Sequence, residues 1–259
     1  MSAREENIPC FRLDDGTSIP VSVETSRSRR GGYSIHLDER GLRVLLPPGS
    51  NPLETAKHLE RHRRWINNRF REKRAAEHAL PKIADGALVP LMGGAKEIRM
   101  AEGETGKGRF TEEAFLYPEN IKGDEREIAI HLANAYIEEA WKRVLEKLAA
   151  PELREFLPML REIRLKEIKS RWGSCSAKGG LSISWRPIMA PAEVFDYLLV
   201  HELCHLLERG HTPRFWAEVE KRCPEHRAAR RYLREKHFEL TNFPIPLGPA
   251  KTFARFAPR

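Results

Sequence analysis

Apolar and polar positions alternate along the first fifty residues with the two-residue period of half-buried strands. Ile19–Thr25 and Tyr33–Leu37 alternate, and Gly41–Leu46 is a third, more continuous apolar run. Gly31-Gly32 lies between the first two and predicts a hairpin turn. The pattern then lengthens. Asn51, Pro52 and Glu54 form a helix start with cap, first-turn proline and acidic third position. The predicted helix covers 52–79, with Leu59, Ile66 and Phe70 along one side. Residues 85–120 read as a second set of short strands, around Leu91–Gly94 and Ile98–Met100, with an exposed loop at 102–110. From Asp124 a long amphipathic helix is predicted, carrying Ile130, Ala133, Ile137, Trp141, Val144 and Leu148 at helical spacing. Strands return at 163–168, 171–176 and 181–185, with a turn at Gly179-Gly180. Pro191 opens a mostly apolar helix that ends at Gly210, Pro213 opens another, and Pro224 opens a last one reaching Phe238. The tail from Thr241 is rich in Pro and Gly. No internal repeat is visible.

This order predicts an α+β chain in three parts: a β-rich region with a basic helix over 1–122, a helix-rich domain over 123–240, and a tail over 241–259. At 259 residues it can bury a substantial core. Nothing approaches the ~20 consecutive apolar residues of a membrane span, and Met1–Glu6 lack the apolar core of a signal peptide. A cytoplasmic protein without membrane contact is expected. Four cysteines with no CxxC indicate neither a disulfide framework nor a cysteine zinc site. The net charge of +8 favours acidic partners without naming one. The helix over 52–79 concentrates that charge in Lys57, Arg61, Arg63, Arg64, Arg69, Arg71, Lys73 and Arg74, against Glu54, Glu60, Glu72 and Glu77. It reads as a solvated charged face, with a nucleic-acid or nucleotide surface as the alternative. Few aromatics interleave, which weakens a stacking mode for single strands.

The sharpest chemical signal is His201-Glu-Leu-Cys-His205 followed by His211. Residues four apart share a helix face, so His201 and His205 can reach one ion, with Glu202 beside them facing the water on that ion. Three protein ligands and an open position make a catalytic zinc site, one Zn2+ per chain, and predict a hydrolase that activates water. His211 is preferred as third ligand, because imidazole suits zinc and a turn at Gly210 can bring it back. Glu218 and Glu220 are the alternatives, while Glu208 and Glu218 are candidates for orienting a ligand histidine. Cys204 reads as a small buried side chain. Cys175 is a lesser candidate to approach the metal. Arg171 and Trp172 are candidates to shape a substrate cleft, and Arg171 to face an oxyanion. His226 and His237 are read as surface residues.

Ser170–Ser176, His201–His205 and His211–Trp216 together resemble the YgjP-type metallopeptidase-like family of the zincin group, related to the WLM and SprT-like families. The resemblance is strong over 141–233 and weaker before it. It implies a twisted sheet with an active-site helix below it and a helical C-terminal part. It also implies His201, His205 and His211 as zinc ligands and Glu202 as catalytic residue. The three histidines share the metzincin spacing, but Glu208 stands at the metzincin glycine position and no Met follows His211. The leading expectation is a zinc-dependent peptidase acting on peptide or protein, with strand 181–185 taking the substrate as an added strand. The alternatives are a nucleoside triphosphate hydrolase, disfavoured by the absence of a GxxxxGK loop and of an Asp cluster, and a protease acting near nucleic acid.

Overall fold

Gly41–Leu46, the most continuous of the early apolar runs, becomes the centre of a sheet rather than its edge. The structure, a computed structural model, describes residues 10–25, 32–38, 41–51, 54–79, 81–168 and 171–245. Gly31, Pro52, Leu53, Ser170 and the tail after Ile245, on which parts of the sequence reading rest, lie outside them. The chain divides into two compact units, Met1–Ala79 and Leu80–Arg259. Residue 123, where the pattern changes, falls inside the second unit. Ile98, Phe115 and Tyr117 before it share one core with Leu132 and Tyr136 after it.

In the first unit, β1 (Phe11–Arg12) pairs with β2 (Ser18–Ile19). β3 (Val21–Thr25), β4 (Ser34–Asp38) and β5 (Gly41–Leu46) form a sheet ordered β3-β5-β4. The hairpin predicted between the first two runs is not formed. β5 pairs parallel with β3 and antiparallel with β4, because its near-continuous apolar sequence buries best between two neighbours. Gly41, at φ 123°, lets its backbone press against Pro20, where any side chain would collide. The predicted long helix is two, α1 (Thr55–Arg61) and α2 (Arg63–Ala79), broken at His62. The break falls where the Tyr33 hydroxyl meets His62 Nε2 at 3.0 Å and its ring stacks on His58. Leu59 and Ile66 enter the core with Phe70 packed against it. Three of the helix cations are held inside the unit: Arg63 by Glu60 and Asp14, Arg69 by Glu72, and Arg74 by Asp15.

The second unit begins with β6 (Leu88–Leu91), β7 (Gly94–Ala101), β8 (Arg109–Phe110) and β9 (Ala114–Pro118), ordered β6-β7-β9-β8. β8 takes the end of the predicted 102–110 loop. α3 (Glu125–Leu148) follows, capped by Asp124, which accepts from Arg126 and Glu127 N–H at 3.1 and 3.0 Å. Its buried stripe is Ala129, Leu132, Ala133, Tyr136, Ala140 and Val144, while Ile130, Ile137 and Trp141 lie on its flanks. Then come β10 (Glu162–Lys166), β11 (Gly173–Cys175) and β12 (Gly180–Ser184), ordered β10-β12-β11, with Gly179 turning at φ 82°. Four helices complete the unit: α4 (Ala192–Cys204), α5 (Pro213–Arg222), α6 (His226–Glu235) and α7 (His237–Asn242). The last predicted helix is thus split at Lys236. Among the described residues no helix is long and apolar enough to cross a membrane.

Three sheets share one connection although no sequence repeat announces it. A strand is followed by a hairpin whose second strand inserts beside it in parallel, giving β3-β5-β4, β7-β9-β8 and β10-β12-β11. After the third of these, Arg186 locks the turn into α4. It is 1% exposed, its Nε donates to Glu167 at 2.6 Å, and its NH1 donates to the carbonyls of Leu240 and Phe243 at 3.1 and 3.2 Å. Replacing it leaves a carboxylate and two carbonyls without their donor. Arg186→Met should lower unfolding free energy by about 3–5 kcal/mol. An unfolding free energy from urea denaturation within about 1 kcal/mol of wild type would show that these contacts stabilise little.

Candidate metal centre

α4 is buried on almost every side, with Val194, Phe195, Leu198, Leu199, Val200, Leu203 and Cys204 in the core. A bidentate pair fixes it to α3: Arg143 Nε and NH2 donate to the two Asp196 oxygens at 2.7 and 2.6 Å. Cys204 is fully buried, as its small apolar reading requires. The helix ends at Cys204 with His205 as its cap, not at Gly210. Leu206, Leu207 and Glu208 N–H groups bond back to Leu203 and Cys204, and this turn starts the return of the chain five residues before the glycine. His211 is carried back to α4 all the same.

The Nε2 atoms of His201 and His211 stand 3.1 Å apart. One ligand atom from each of His201, His205 and His211 lies within 4.8 Å of the others. Bonds of ~2.0–2.1 Å at a tetrahedral angle place ligand nitrogens ~3.3 Å apart, so the cluster fits one metal ion. The outer ring nitrogens have partners: His205 Nδ1 meets the Glu208 carbonyl at 3.1 Å, and His201 Nδ1 meets the Tyr197 hydroxyl at 3.3 Å. With Nδ1–H donating outward, each inner nitrogen offers its lone pair to the same point. His201 is held neutral, its pKa pushed down to about 3 by burial and by His205, His211 and Arg230. α5 supplies the aromatic wall. Thr212 caps it by accepting from Phe215 N–H at 3.2 Å, which places Phe215 against His205 and Trp216 against His211.

Glu202 lies beside the histidines, 4% exposed, and its Oε2 has no hydrogen-bond partner. Burial raises its pKa to about 7, against the pull of Arg171. The backbone of β11 runs directly over it. A Cβ on Gly173 would fall 2.6 Å from Glu202 Cγ and Cδ and into contact with Oε1. Gly173→Ala must displace the carboxylate and should cost about 10²-fold in turnover, the usual effect of a misplacement near 1 Å, with metal content unchanged. A kinetic comparison in which Gly173→Ala retains full activity would remove Glu202 from the reacting position.

A cavity of about 320 Å³ opens onto the cluster, lined by Gly173, Ser174, Cys175, His201, Glu202, His205, Arg209 and His211. Cys175 lines it without joining the metal-ligating group, and burial with the nearby Glu202 pushes its thiol up to about 11. Arg171 is exposed and near enough to act on Glu202. Trp172 is not part of the lining; it packs edge-on against His237, which is half-buried rather than on the open surface. His226 is a clearer departure, 5% exposed and stacked on Trp216, because α6 turns it under α5. Glu218 is occupied by Arg222 at 2.6 Å, and neither Glu218 nor Glu220 joins the histidines. At Glu208 the carbonyl, not the carboxylate, meets His205. Arg209, Tyr197 and Phe215 were not among the candidate site residues. Arg209 carried a signal in its place between two candidate ligands, and Phe215 in its place within the His211–Trp216 run.

The sequence matches the family described as YgjP-like, metallopeptidase domain, over residues 32–236. No curated protein and no solved structure matches. The match takes in the three histidines, Glu202 and the β11 glycine above it, so the cluster is seated within the matched region, and the chain belongs to the YgjP-like metallopeptidase domain family.

Proposed function

We propose that the protein is a zinc-dependent peptidase of zincin-like arrangement, with β10-β12-β11 above α4. The observation that carries this reading is the convergence of three histidine nitrogens beside the buried, unpartnered Oε2 of Glu202. His201, His205 and His211 would hold the ion, which when bound lowers the pKa of water toward ~7 and polarises a carbonyl. Glu202, at about 7, is poised to take a proton from the attacking water and return it to the leaving amine. Arg209 lines the cavity and would be the cation available to a developing negative oxygen. β12 cannot receive the substrate as an added strand, because β10 and β11 already pair with both its edges. β11 is the free edge beside the metal cluster, and a peptide would add there.

A second reading, hydrolysis of a phosphoanhydride such as a nucleoside triphosphate, is favoured by one observation. Arg171, Arg209 and Arg230 surround the site, and among the described residues none of them has a carboxylate partner within ion-pair reach. Casein-type and nucleotide substrates, assayed side by side with zinc-loaded wild type and Glu202→Ala, separate the two. Glu202-dependent cleavage of casein is expected. Release of phosphate or pyrophosphate with intact casein would replace the peptidase reading by the second.

A further inference from the structure

The face of β10-β12-β11 turned away from α4 carries a second cavity that neither the metal cluster nor Glu202 uses. Ile163, Leu165, Leu181 and Ile183 fill the inner face. Alternation therefore sends Arg164, Ser182 and Ser174 to the outer face, and the register sets them in one row across the three strands, Arg164↔Ser182↔Ser174. A groove of about 400 Å³ lies over that row, bounded by Arg161 and Lys178 and by the hydroxyl of Ser176. Ser174 and Cys175 line both this groove and the metal cavity. The two spaces thus meet around the free edge strand β11, one residue from the glycine that covers Glu202.

The charges in the groove are unbalanced. Its one carboxylate, Glu162, is engaged by Arg164 at 2.6 Å. Arg161 and Lys178 are exposed, and among the described residues neither has a carboxylate partner. Two open cations and three hydroxyl donors complement an anion with several acceptor oxygens. They do not complement an apolar or basic group.

We propose that this groove is a specificity subsite for an anionic group of the substrate, a carboxylate or a phosphoryl group, with Arg161 and Lys178 as its recognition residues. The proposal rests on the hydrolase reading above only in calling the anion part of a substrate. A substrate passing over the β11 edge sets its reacting bond at Glu202 and its anion in the groove. Acidic segments are then preferred for a peptide, and the phosphoryl chain is the anchored part for a nucleotide.

The test measures binding without turnover. Zinc-loaded Glu202→Gln protein is titrated by calorimetry with hexaglutamate and, separately, with inorganic pyrophosphate, with zinc content checked before and after. The same titrations are run on the background carrying Arg161→Gln and Lys178→Gln, and on a charge-keeping pair, Arg161→Lys with Lys178→Arg. At least one anion is expected to bind, to weaken about ten-fold or more in the neutralised protein, and to recover in the charge-keeping pair. The anion that responds identifies the source. Equal binding to all three proteins, or no binding of either anion up to about 1 mM, overturns the subsite. The two readings fail separately. Binding that responds to Arg161 and Lys178 in a protein that hydrolyses nothing removes the hydrolase reading alone. Glu202-dependent hydrolysis with unresponsive binding removes the subsite alone.

Discussion

Glu202→Gln should retain about one zinc per chain and lose roughly two to four orders of magnitude in turnover. The substitution keeps the shape of a side chain packed under Gly173 and removes only the ability to take a proton. His201 and His205 keep their outer partners, so the metal should stay. A protein that keeps its activity would show that Glu202 is not the base. A protein that loses its zinc would make Glu202 a ligand or a fold element instead. The same variant gives a second readout without substrate. In the metal-free protein burial raises the Glu202 pKa from 4.5 to about 7. Its favourable contribution is complete below 4.5 and is lost as pH rises through 7. At ~1.4 kcal/mol per unit, the loss is at most about 3.5 kcal/mol. His201, depressed from 6.5 to about 3, acts the other way, losing stability as pH falls below 6.5. That effect is common to both proteins and cancels in their difference. In chelator, Glu202→Gln should therefore gain stability relative to wild type between pH 4.5 and 7.5. A pH-independent difference would mean that Glu202 is not buried as a carboxylate.

His205→Ala should remove most of the zinc, leaving well under about one-tenth of an ion per chain after dialysis, and with it nearly all hydrolysis. Of the three histidines, His205 has the firmest outer hold, through the Glu208 carbonyl and the stacked Phe215 ring. Its loss leaves two nitrogens facing an ion that needs three. The fold should persist, because the core around α4 is built from apolar residues and the Arg143–Asp196 pair rather than from the histidines. Circular dichroism and elemental analysis on one preparation distinguish metal loss from unfolding. Zinc retained at about one per chain would dismiss the three-histidine site. Parallel His211→Ala and Glu218→Ala proteins decide the third ligand, and only the former is expected to lose metal.

The candidate centre was legible where it depended on local periodicity. His201 and His205 share a helix face by spacing alone, and His211 could be anticipated from the short turn that follows. What surrounds them depends on strand order, which alternation does not encode. Leu181–Ser184 looked like an edge because it precedes the active helix, yet β11, only three residues long, took that place. Gly173 looked like an ordinary strand residue, since its role comes from a carboxylate twenty-nine positions away. The face of α3 was read only in part. Ala133, Val144 and Leu148 are buried as their spacing predicts, but Ile130, Ile137 and Trp141 lie on the flanks, because Ala129 and Ala140 let neighbouring elements come close and so extend the packed side. His226 was read as surface because its neighbours in sequence are arginines, and the ring it packs on, Trp216, belongs to another helix.

The strand order shared by three sheets has a kinetic consequence. In each, the strand that ends in the middle is the last of the three in the chain. Its parallel pairing waits on a closed loop that contains the intervening strand. Nucleation is therefore expected from the local hairpins and from α3, with the parallel contacts forming late, which places the protein among slower-folding mixed domains. During synthesis, β12 is made immediately before α4. The sheet that shields Glu202 and the helix that carries it thus become available in one stretch of growing chain, after the α3 surface on which the helix docks.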